Sequence, residues 1–354
     1  MSESTYQASP ADGAEILRIL ESSAAQGSVE LIYTRRPDAY DSYMKESGEA
    51  RVFVSKEDER TVGTCAELIR EVYIGGERRK AAYICGLKKD AAYEGGVGFG
   101  VRLLRDFCRE DIDLYYCSVV EDNAEAQAMF EKSRRIISMN PFAEYKTYIL
   151  SPKVKVKEPQ HSLTFRQAAE ADRDRLIAFL NIEGRKKDLF PVIRSFDAFA
   201  DLSIEDFYLL LEGERIVATA ALWNQTAYKQ YVVKKYRGLM KLARLANPLL
   251  SALRYIQLPK ENQSLDFPML SFFISQNDNE EYYRIMLSEI KHEIARSYGM
   301  FVIGLPRAHF AAPMLDQLPS ISFETKLYEI KLPWSAHSDT APDLRNIQPE
   351  CGLL

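Results

Sequence analysis

The sequence predicts a mixed α/β protein built from two tandem copies of one domain. Its 354 residues are enough for two domains of ordinary size. Each half begins with a helical pattern, continues with apolar strands and ends in a strand–helix–strand unit. Because strands precede and follow the helix of that unit, we expect a sheet that is partly antiparallel and partly parallel.

Two short segments recur in the same order in both halves. Residues 7–12 (QASPAD) match residues 167–172 (QAAEAD) at an offset of 160, and each segment leads into a helix-like apolar periodicity. Residues 59–66 (ERTVGTCA) match residues 214–221 (ERIVATAA) at an offset of 155. Each Glu-Arg pair falls at a turn between two apolar strands. Two matches in the same order predict a duplicated domain.

The domain boundaries are predicted from composition. The first domain covers residues 1–150 and the second covers residues 163–334. Residues 151–162 (SPKVKVKEPQHS) contain two prolines and alternating lysines, as is typical of a semi-extended linker. Residues 335–354 are polar and contain two further prolines, so we expect a loosely attached tail.

The elements of each half follow from apolar periodicity and turn residues. In the first half these signals predict strands over residues 51–55, 61–74, 80–87, 114–120 and 144–150, and helices over about 98–110 and 124–133. In the second half, residues 269–275 are a predicted strand. A helix follows whose predicted buried residues are Tyr283, Met286, Leu287, Ile290 and Ile294. Ser275 or Asn277 is its expected N-cap.

Composition and charge exclude several classes of protein. The formal charge of −5 does not favour a nucleic-acid partner, because nucleic-acid-binding domains are usually basic. The N-terminal residues lack a secretory signal pattern, and no apolar run is long enough to span a membrane. The five cysteines lack metal-ligand spacing, which favours reduced thiols, a cytoplasmic protein and no metal. These cysteines are Cys65, Cys85, Cys108, Cys117 and Cys351.

The most informative segment is a glycine-rich loop between an apolar strand and an amphipathic helix. Its glycines are Gly95, Gly96, Gly98 and Gly100. Glycines let the backbone approach a ligand, and the free N–H groups at a helix start favour an anion such as pyrophosphate. A dinucleotide loop fits poorly because Val101 stands at its third glycine position, and a Walker loop would need Gly-Lys-Ser/Thr. A glycine-rich turn without a ligand is the remaining alternative.

Two motifs resemble the GNAT superfamily of N-acetyltransferases. Gly98-Phe99-Gly100 resembles the glycine pair of the family's acyl-CoA loop, Arg/Gln-x-x-Gly-x-Gly/Ala, although Gly95 stands at the Arg/Gln position. Residues 123–132 (NAEAQAMFEK) resemble the family's Asn-x-x-Ala-x-x-Leu-Tyr-Glu-Lys helix with every spacing kept. The resemblance covers the first half, and it implies two tandem GNAT-like domains of which the second, lacking the glycines, is degenerate.

The resemblance implies acetyl-CoA or another acyl-CoA as co-substrate, bound in a splay between two strands. Pantetheine would pair with the strand backbone, the glycine-rich loop would hold the pyrophosphate, and Asn123 would cap the next helix and touch pantetheine. The implied cofactor-binding residues are Cys85, Gly86, Leu87, Gly95, Gly96, Val97, Gly98, Phe99, Gly100, Val101, Asn123 and Phe130.

Acyl transfer to an amine needs the amine deprotonated and the leaving thiolate protonated. The family's tyrosine acid corresponds to Phe130, which has no proton to give, and none of the four histidines lies in the first domain. Glu67 and Glu71 share one face of a predicted strand, and Tyr83 and Tyr116 border the predicted splay. These four residues are our candidate catalytic residues.

The resemblance implies an acyl-CoA-dependent N-acyltransferase that acts directly on an amine of a small molecule or peptide. One alternative is a non-catalytic acyl-CoA-binding or interaction module that has lost its acid and base. A basic amphipathic stretch, residues 234–245, leaves open a carrier-dependent acyltransferase, contact with an anionic lipid surface, contact with CoA phosphates, or an ordinary solvated helix face. A homodimer is also left open.

Overall fold

The fold is described from a computed structural model. The structure describes residues 3–25, 27–94, 100, 103–104, 111–121, 123, 126–127, 137–157, 159–245, 256, 258–331 and 344–354. In these residues the dominant feature is a twelve-stranded sheet, accompanied by a separate two-stranded sheet.

Each half supplies seven of the described strands. The first half contains β1 (Glu3–Gln7), β2 (Val29–Thr34), β3 (Glu49–Glu57), β4 (Arg60–Ile74), β5 (Glu77–Lys89), β6 (Leu114–Val120) and β7 (Ser138–Leu150). The second half contains β8 (Thr164–Gln167), β9 (Phe207–Glu212), β10 (Arg215–Trp223), β11 (Gln230–Tyr236), β12 (Met269–Ser275), β13 (Phe301–Pro306) and β14 (Ser320–Lys331). The described helices are α1 (Gly13–Glu21), α2 (Ala39–Glu46), α3 (Arg173–Gly184), α4 (Gly238–Leu245), α5 (Glu280–Ser297) and α6 (Ala312–Asp316).

The large sheet has a palindromic strand order, β1-β3-β4-β5-β6-β14-β7-β13-β12-β10-β9-β8. Five strands of each half therefore occupy equivalent positions on either side of the central pair β14–β7. Within each set, one neighbouring pair is parallel, namely β5–β6 in the first half and β12–β13 in the second. This arrangement confirms the predicted mixed α/β sheet and the duplication.

The two halves exchange their last strands. β7, the predicted closing strand of the first domain, pairs with β13 of the second half, whereas β14 pairs with β6 of the first half. The long β7–β14 ladder then joins the halves into one sheet. Separating the halves would break all three ladders, so the boundary predicted at residues 151–162 does not divide the sheet.

The two sequence repeats have the same local structure in both copies. The Ser9 N–H donates to Asp12 Oδ2 over 2.9 Å ahead of α1, and the Ala169 N–H donates to Asp172 Oδ2 over 2.8 Å ahead of α3. The two Glu-Arg turns join β3 to β4 and β9 to β10. Each repeat therefore marks the same position in a duplicated chain path.

Two predictions about the second half are wrong. Helix α5 is capped by Asn279, whose Oδ1 accepts from the N–H groups of Glu281 and Tyr282, and not by Ser275 or Asn277. Residues 344–354 are not a loose tail, because Cys351 and Leu353 are buried among apolar side chains. Residues 335–343 lie outside the described residues.

Helices cover both faces of the first half of the sheet. Apolar side chains of α1 and α2 pack on one face, beside Leu68, Tyr83 and Tyr116. Leu103 and Leu104, which are helical and buried, pack on the other face. Most of the predicted helices over residues 98–110 and 124–133 lies outside the described residues.

Candidate functional site

The parallel strands β5 and β6 separate soon after they meet. Their ladder joins Ala81 to Leu114 and ends at the pair Tyr83 and Tyr116. Beyond this point β4 is the one described strand that pairs with β5 as far as Lys89, while β6 continues against β14. The carboxyl end of β5 therefore borders a wedge-shaped gap, which we call the first gap. The predicted backbone positions Cys85, Gly86 and Leu87 lie on this edge and are half-buried.

A β-bulge shapes the edge of the first gap. Between the pairs Thr64–Lys88 and Ala66–Cys85, two residues of β5 oppose one residue of β4. Gly86, the first of these two, has a φ of 60°, a left-handed conformation that glycine adopts without steric cost. A Cβ at Gly86 would also lie 2.1 Å from Tyr43 Oη, so only glycine fits against this hydroxyl.

Tyr43, on α2, is a residue that sequence analysis missed. Its side chain is fully buried, and its hydroxyl makes no hydrogen bond to any of the described residues. Burial raises the pKa of Tyr43 well above its usual value, so the hydroxyl keeps its proton. An unpartnered hydroxyl beside a bulge is a hydrogen-bonding group available to a ligand or to water.

The predicted anion cradle lies mostly outside the described residues. This applies to Gly95, Gly96, Val97, Gly98 and Phe99 of the loop, and to Val101 and Phe130 in the two following segments. Gly100 is helical and buried. Asn123 caps the next helix as expected, since its Oδ1 accepts from the N–H of Ala126 over 3.0 Å.

The structure brings two of the four candidate catalytic residues together. The rings of Tyr83 and Tyr116 lie 5.2 Å apart where the first gap begins, and the Tyr83 hydroxyl is 2.5 Å from Ser118 Oγ. Burial raises the pKa of Tyr83 well above its usual value and that of Tyr116 to about 12. At neutral pH both phenols are protonated and can donate a proton, but neither can serve as a base.

Glu67 and Glu71 lie on the opposite face of the sheet from these tyrosines, because residues 65, 67, 69 and 71 of β4 share one face and its apolar members pack beside Leu103. Glu67 is fully buried and accepts from Arg51 Nε over 2.5 Å. Glu71 accepts from Arg194 over 2.7 and 2.9 Å, and this arginine lowers the pKa of Glu71. Both carboxylates are thus held in ion pairs, away from the two tyrosines.

A buried ionic cluster, which sequence analysis also missed, lies at the junction of the halves. Arg35 pairs with Glu46, and Lys229 Nζ lies 3.1 Å from the other oxygen of Glu46. Burial opposes ionisation of Glu46, but the charges of Arg35 and Lys229 prevail and lower its pKa to about 2. Lys229 also donates to the backbone oxygen of Leu354. No local motif marks this cluster, because its members are far apart in sequence.

The second half contains an equivalent gap between β12 and β13. These strands pair only at Met269 and Val302, and β12 carries a bulge at the position equivalent to that of Gly86. The bulge residue is Phe272, whose φ of 50° is strained for a residue with a side chain. Its N–H donates to the Glu350 carboxylate over 2.7 Å.

Residues 350–353 fill this second gap. Gly352 packs so closely on β10 and β12 that a Cβ there would lie 2.5 Å from the ring of Trp223. On the other side, a Cβ at Gly304 of β13 would lie 2.5 Å from Cys351 Sγ. The C-terminal segment therefore contacts both walls, and the chain itself occupies the space between them.

The described cysteines are buried or half-buried thiols, and the basic stretch is divided between a strand and a helix. The four described cysteines are free, and burial raises the pKa of Cys85 to about 11 and of Cys117 to about 12. Residues 234–245 are not one basic helix: Lys234 and Lys235 belong to β11, and only α4 is helical.

Among the described residues no cluster of possible metal ligands occurs, and no helix is long and apolar enough to cross a membrane.

No model of a known protein family matches the sequence, and no curated protein matches it. Solved structures do match the fold. A probable N-acyltransferase from Enterococcus faecalis aligns over 94% of this chain and 73% of its own, with 11% identity and a TM-score of 0.52. A GCN5-related N-acetyltransferase from Anabaena variabilis aligns over 92% of this chain and 72% of its own, with 10% identity and a TM-score of 0.54. The chain has the GNAT fold.

The GNAT fold extends over both halves. Saccharomyces cerevisiae N-myristoyltransferase with bound myristoyl-CoA aligns over 98% of this chain and 88% of its own, with 8% identity and a TM-score of 0.56. The predicted GNAT resemblance is therefore confirmed at the level of the fold. At these identities the likeness concerns the fold alone, and the roles of individual residues rest on the geometry described above.

Proposed function

We propose that the protein is an acyl-CoA-dependent N-acyltransferase whose first gap binds the acyl-CoA. The observation that carries this proposal is the edge of β5 at Gly86, which pairs with β4 on one side and with no described strand on the other. The unpartnered Tyr43 hydroxyl lies beside it. A strand edge with free N–H and C=O groups can pair with the amides of pantetheine. The solved neighbours named as acyltransferases, one of them holding myristoyl-CoA, support this chemistry.

The remaining contacts follow from the sequence motifs. Cys85, Gly86 and Leu87 present the strand backbone, and the loop at residues 95–101 holds the pyrophosphate through glycine N–H groups and a helix start. Tyr43 Oη completes the site by hydrogen-bonding the pantetheine arm. The acceptor is an amine of a small molecule or of a peptide, and the acyl donor is acetyl-CoA or a longer acyl-CoA.

In the transfer step, the amine nitrogen attacks the thioester carbonyl carbon. The C–N bond forms as the C–S bond breaks, the proton that the amine loses passes to solvent water, and the CoA thiolate gains one proton from a side chain that is then reprotonated by solvent. We assign Tyr83 as the donor of that proton, because its phenol is protonated and lies at the start of the gap, and Tyr116 as the ring that positions it. Glu67 and Glu71 stay outside this path, because each is paired with an arginine on the other face.

Calorimetric titration with acetyl-CoA, and in parallel with medium- and long-chain acyl-CoA, tests binding. A free-thiol assay across a panel of amines and peptides then tests turnover. We expect saturable binding and thiol release that depends on the acceptor. No binding at about 1 mM ligand would contradict the proposal. Binding without thiol release for any acceptor would instead favour the non-catalytic acyl-CoA-binding module.

A further inference from the structure

Helix α4 presents two leucines to solvent. Leu239 is 83% exposed and Leu242 is 62% exposed. These residues are three positions apart, so they lie on one face of the helix. A surface helix of a globular protein normally turns its leucines toward the core, and a helix that does the reverse has a surface that lacks its partner.

The orientation of α4 is held by polar contacts on its inner side. Arg244 Nε donates to the Pro259 carbonyl over 2.9 Å, and the hydroxyl of Tyr236, at the end of β11, donates to the same carbonyl over 2.9 Å. Met240, on the same side as Arg244, is half-buried. Because the inner side is anchored in this way, the leucine face projects away from the protein.

Three exposed lysines are near the exposed leucines in the sequence. Lys241 lies on α4 beside the face of the two leucines, and Lys234 and Lys235 lie near the end of β11 just before the helix, all three exposed. Among the described residues, none of the three side chains forms an ion pair or a hydrogen bond. The three unpaired lysines thus form a cluster of positive charge on a chain whose net charge is −5. The surface formed by Leu239, Leu242 and these lysines is called the α4 ridge below.

We propose that the α4 ridge docks the protein on a membrane surface that contains anionic lipid. Leucines that project as a ridge can enter the boundary between headgroups and acyl chains, and flanking lysines can contact lipid phosphates. Anionic lipid fits better than an acidic protein, because a ridge of two apolar side chains enters a deformable bilayer without needing a matching groove. The contact is peripheral and reversible, as one short helix buries little apolar area.

Vesicle co-sedimentation of the full chain tests this inference. With phosphatidylcholine vesicles containing about 30% phosphatidylserine, we expect binding that weakens at about 0.5 M salt. With pure phosphatidylcholine vesicles we expect at least about tenfold weaker binding. The variant Lys234→Gln/Lys235→Gln/Lys241→Gln and the variant Leu239→Ser/Leu242→Ser should each lower the partition coefficient at least about tenfold.

Matched controls separate the ridge from general charge and hydrophobicity. Lys153→Gln/Lys155→Gln/Lys157→Gln removes the same charge from the exposed lysines of residues 151–162, and Ile182→Ser/Phe310→Ser removes two other exposed apolar side chains. We expect both controls to bind vesicles like the wild type. Failure of the wild type to bind anionic vesicles at low salt, or equal losses in ridge and control variants, would overturn the proposal. Acyl-CoA binding should be unchanged in every variant, so the result is independent of the proposed function.

Discussion

The first gap, between β5 and β6, and the second gap, between β12 and β13, are built alike but filled differently. In both, a short parallel ladder ends early and a bulge residue with positive φ follows. In the first half that residue is Gly86, next to an unpartnered tyrosine hydroxyl. In the second half it is Phe272, whose N–H is bound by Glu350 of the same chain. A duplicated fold thus keeps the same gap even where its own C-terminal segment fills it.

The largest effect is expected for Gly86→Val, which would close the first gap. A side chain at a φ of 60° is strained, and its Cβ would collide with Tyr43; together these cost about 2–6 kcal/mol. We expect acyl-CoA binding, measured by calorimetry, to weaken at least about 100-fold. Gly75→Val is the matched control, because Gly75 also has a positive φ but no atom lies within 4 Å of its Cβ position. Equal losses of binding in the two variants would show that strain alone, and not the gap, is responsible.

In the second gap, Glu350→Gln should alter the pH dependence of stability. Burial raises the pKa of Glu350 to about 7 from an ordinary value of 4.5. Because the folded state holds this proton more tightly, the contribution of the protonated carboxyl is fully present below about pH 4.5 and is lost as the pH rises through about 7. The one oxygen of glutamine still accepts from the Phe272 N–H, the longer contact with the Gly352 N–H is lost, and the side chain does not ionise. The variant should therefore be more stable than the wild type at pH 8, by up to about 3 kcal/mol.

Denaturant unfolding of both proteins between pH 4.5 and 8 measures this difference. The advantage of Glu350→Gln should grow steadily across this range, while acyl-CoA binding stays at the wild-type level. A constant difference in unfolding free energy at every pH would show that Glu350 does not titrate in the second gap.

At the start of the first gap, Tyr83→Phe removes the proposed proton donor and keeps the ring. We expect kcat to fall about 100-fold while binding of acyl-CoA changes little. Tyr148→Phe is a suitable control, since this hydroxyl is hydrogen-bonded to Asp316 in the second half. A wild-type kcat in Tyr83→Phe would remove the phenol from the mechanism.

A smaller effect is expected for Tyr43→Phe. The hydroxyl has no partner in the described part of the protein, so its removal should not lower the unfolding free energy of the ligand-free protein. If pantetheine uses this hydroxyl, acyl-CoA binding should weaken about five- to tenfold, as measured by calorimetry. Loss of stability without loss of affinity would mean that Tyr43 only packs against Gly86.

Local sequence signals predicted several strands with accurate bounds but missed β1, β2 and α2. The strand predicted over residues 61–74 corresponds to β4 (Arg60–Ile74), and β6 and β12 have the predicted bounds, because alternating apolar residues between turns are a local signal. The repeat likewise predicted the duplicated chain path. The strand exchange of β7 and β14 was not predictable in this way, because both strands could pair on either side.

The site was only partly predictable for the same reason. Gly86 was found because its segment resembles a known motif, whereas Phe272 occupies the equivalent bulge without any residue that signals a positive φ. Tyr43 and the cluster of Arg35, Glu46 and Lys229 come from distant segments that only the fold brings together. The polar composition of residues 335–354 suggested a loose tail. Composition does not reveal that the polar side chain of Glu350 is buried and accepts a hydrogen bond from a buried N–H group.

The most direct measurement is the stoichiometry of acyl-CoA binding by calorimetry, with the wild type and Gly86→Val side by side. If the first gap is open and the second is filled by the chain, the wild type should bind about one acyl-CoA per chain and the variant none. About two molecules per chain, or undiminished binding by Gly86→Val, would contradict the difference between the two gaps.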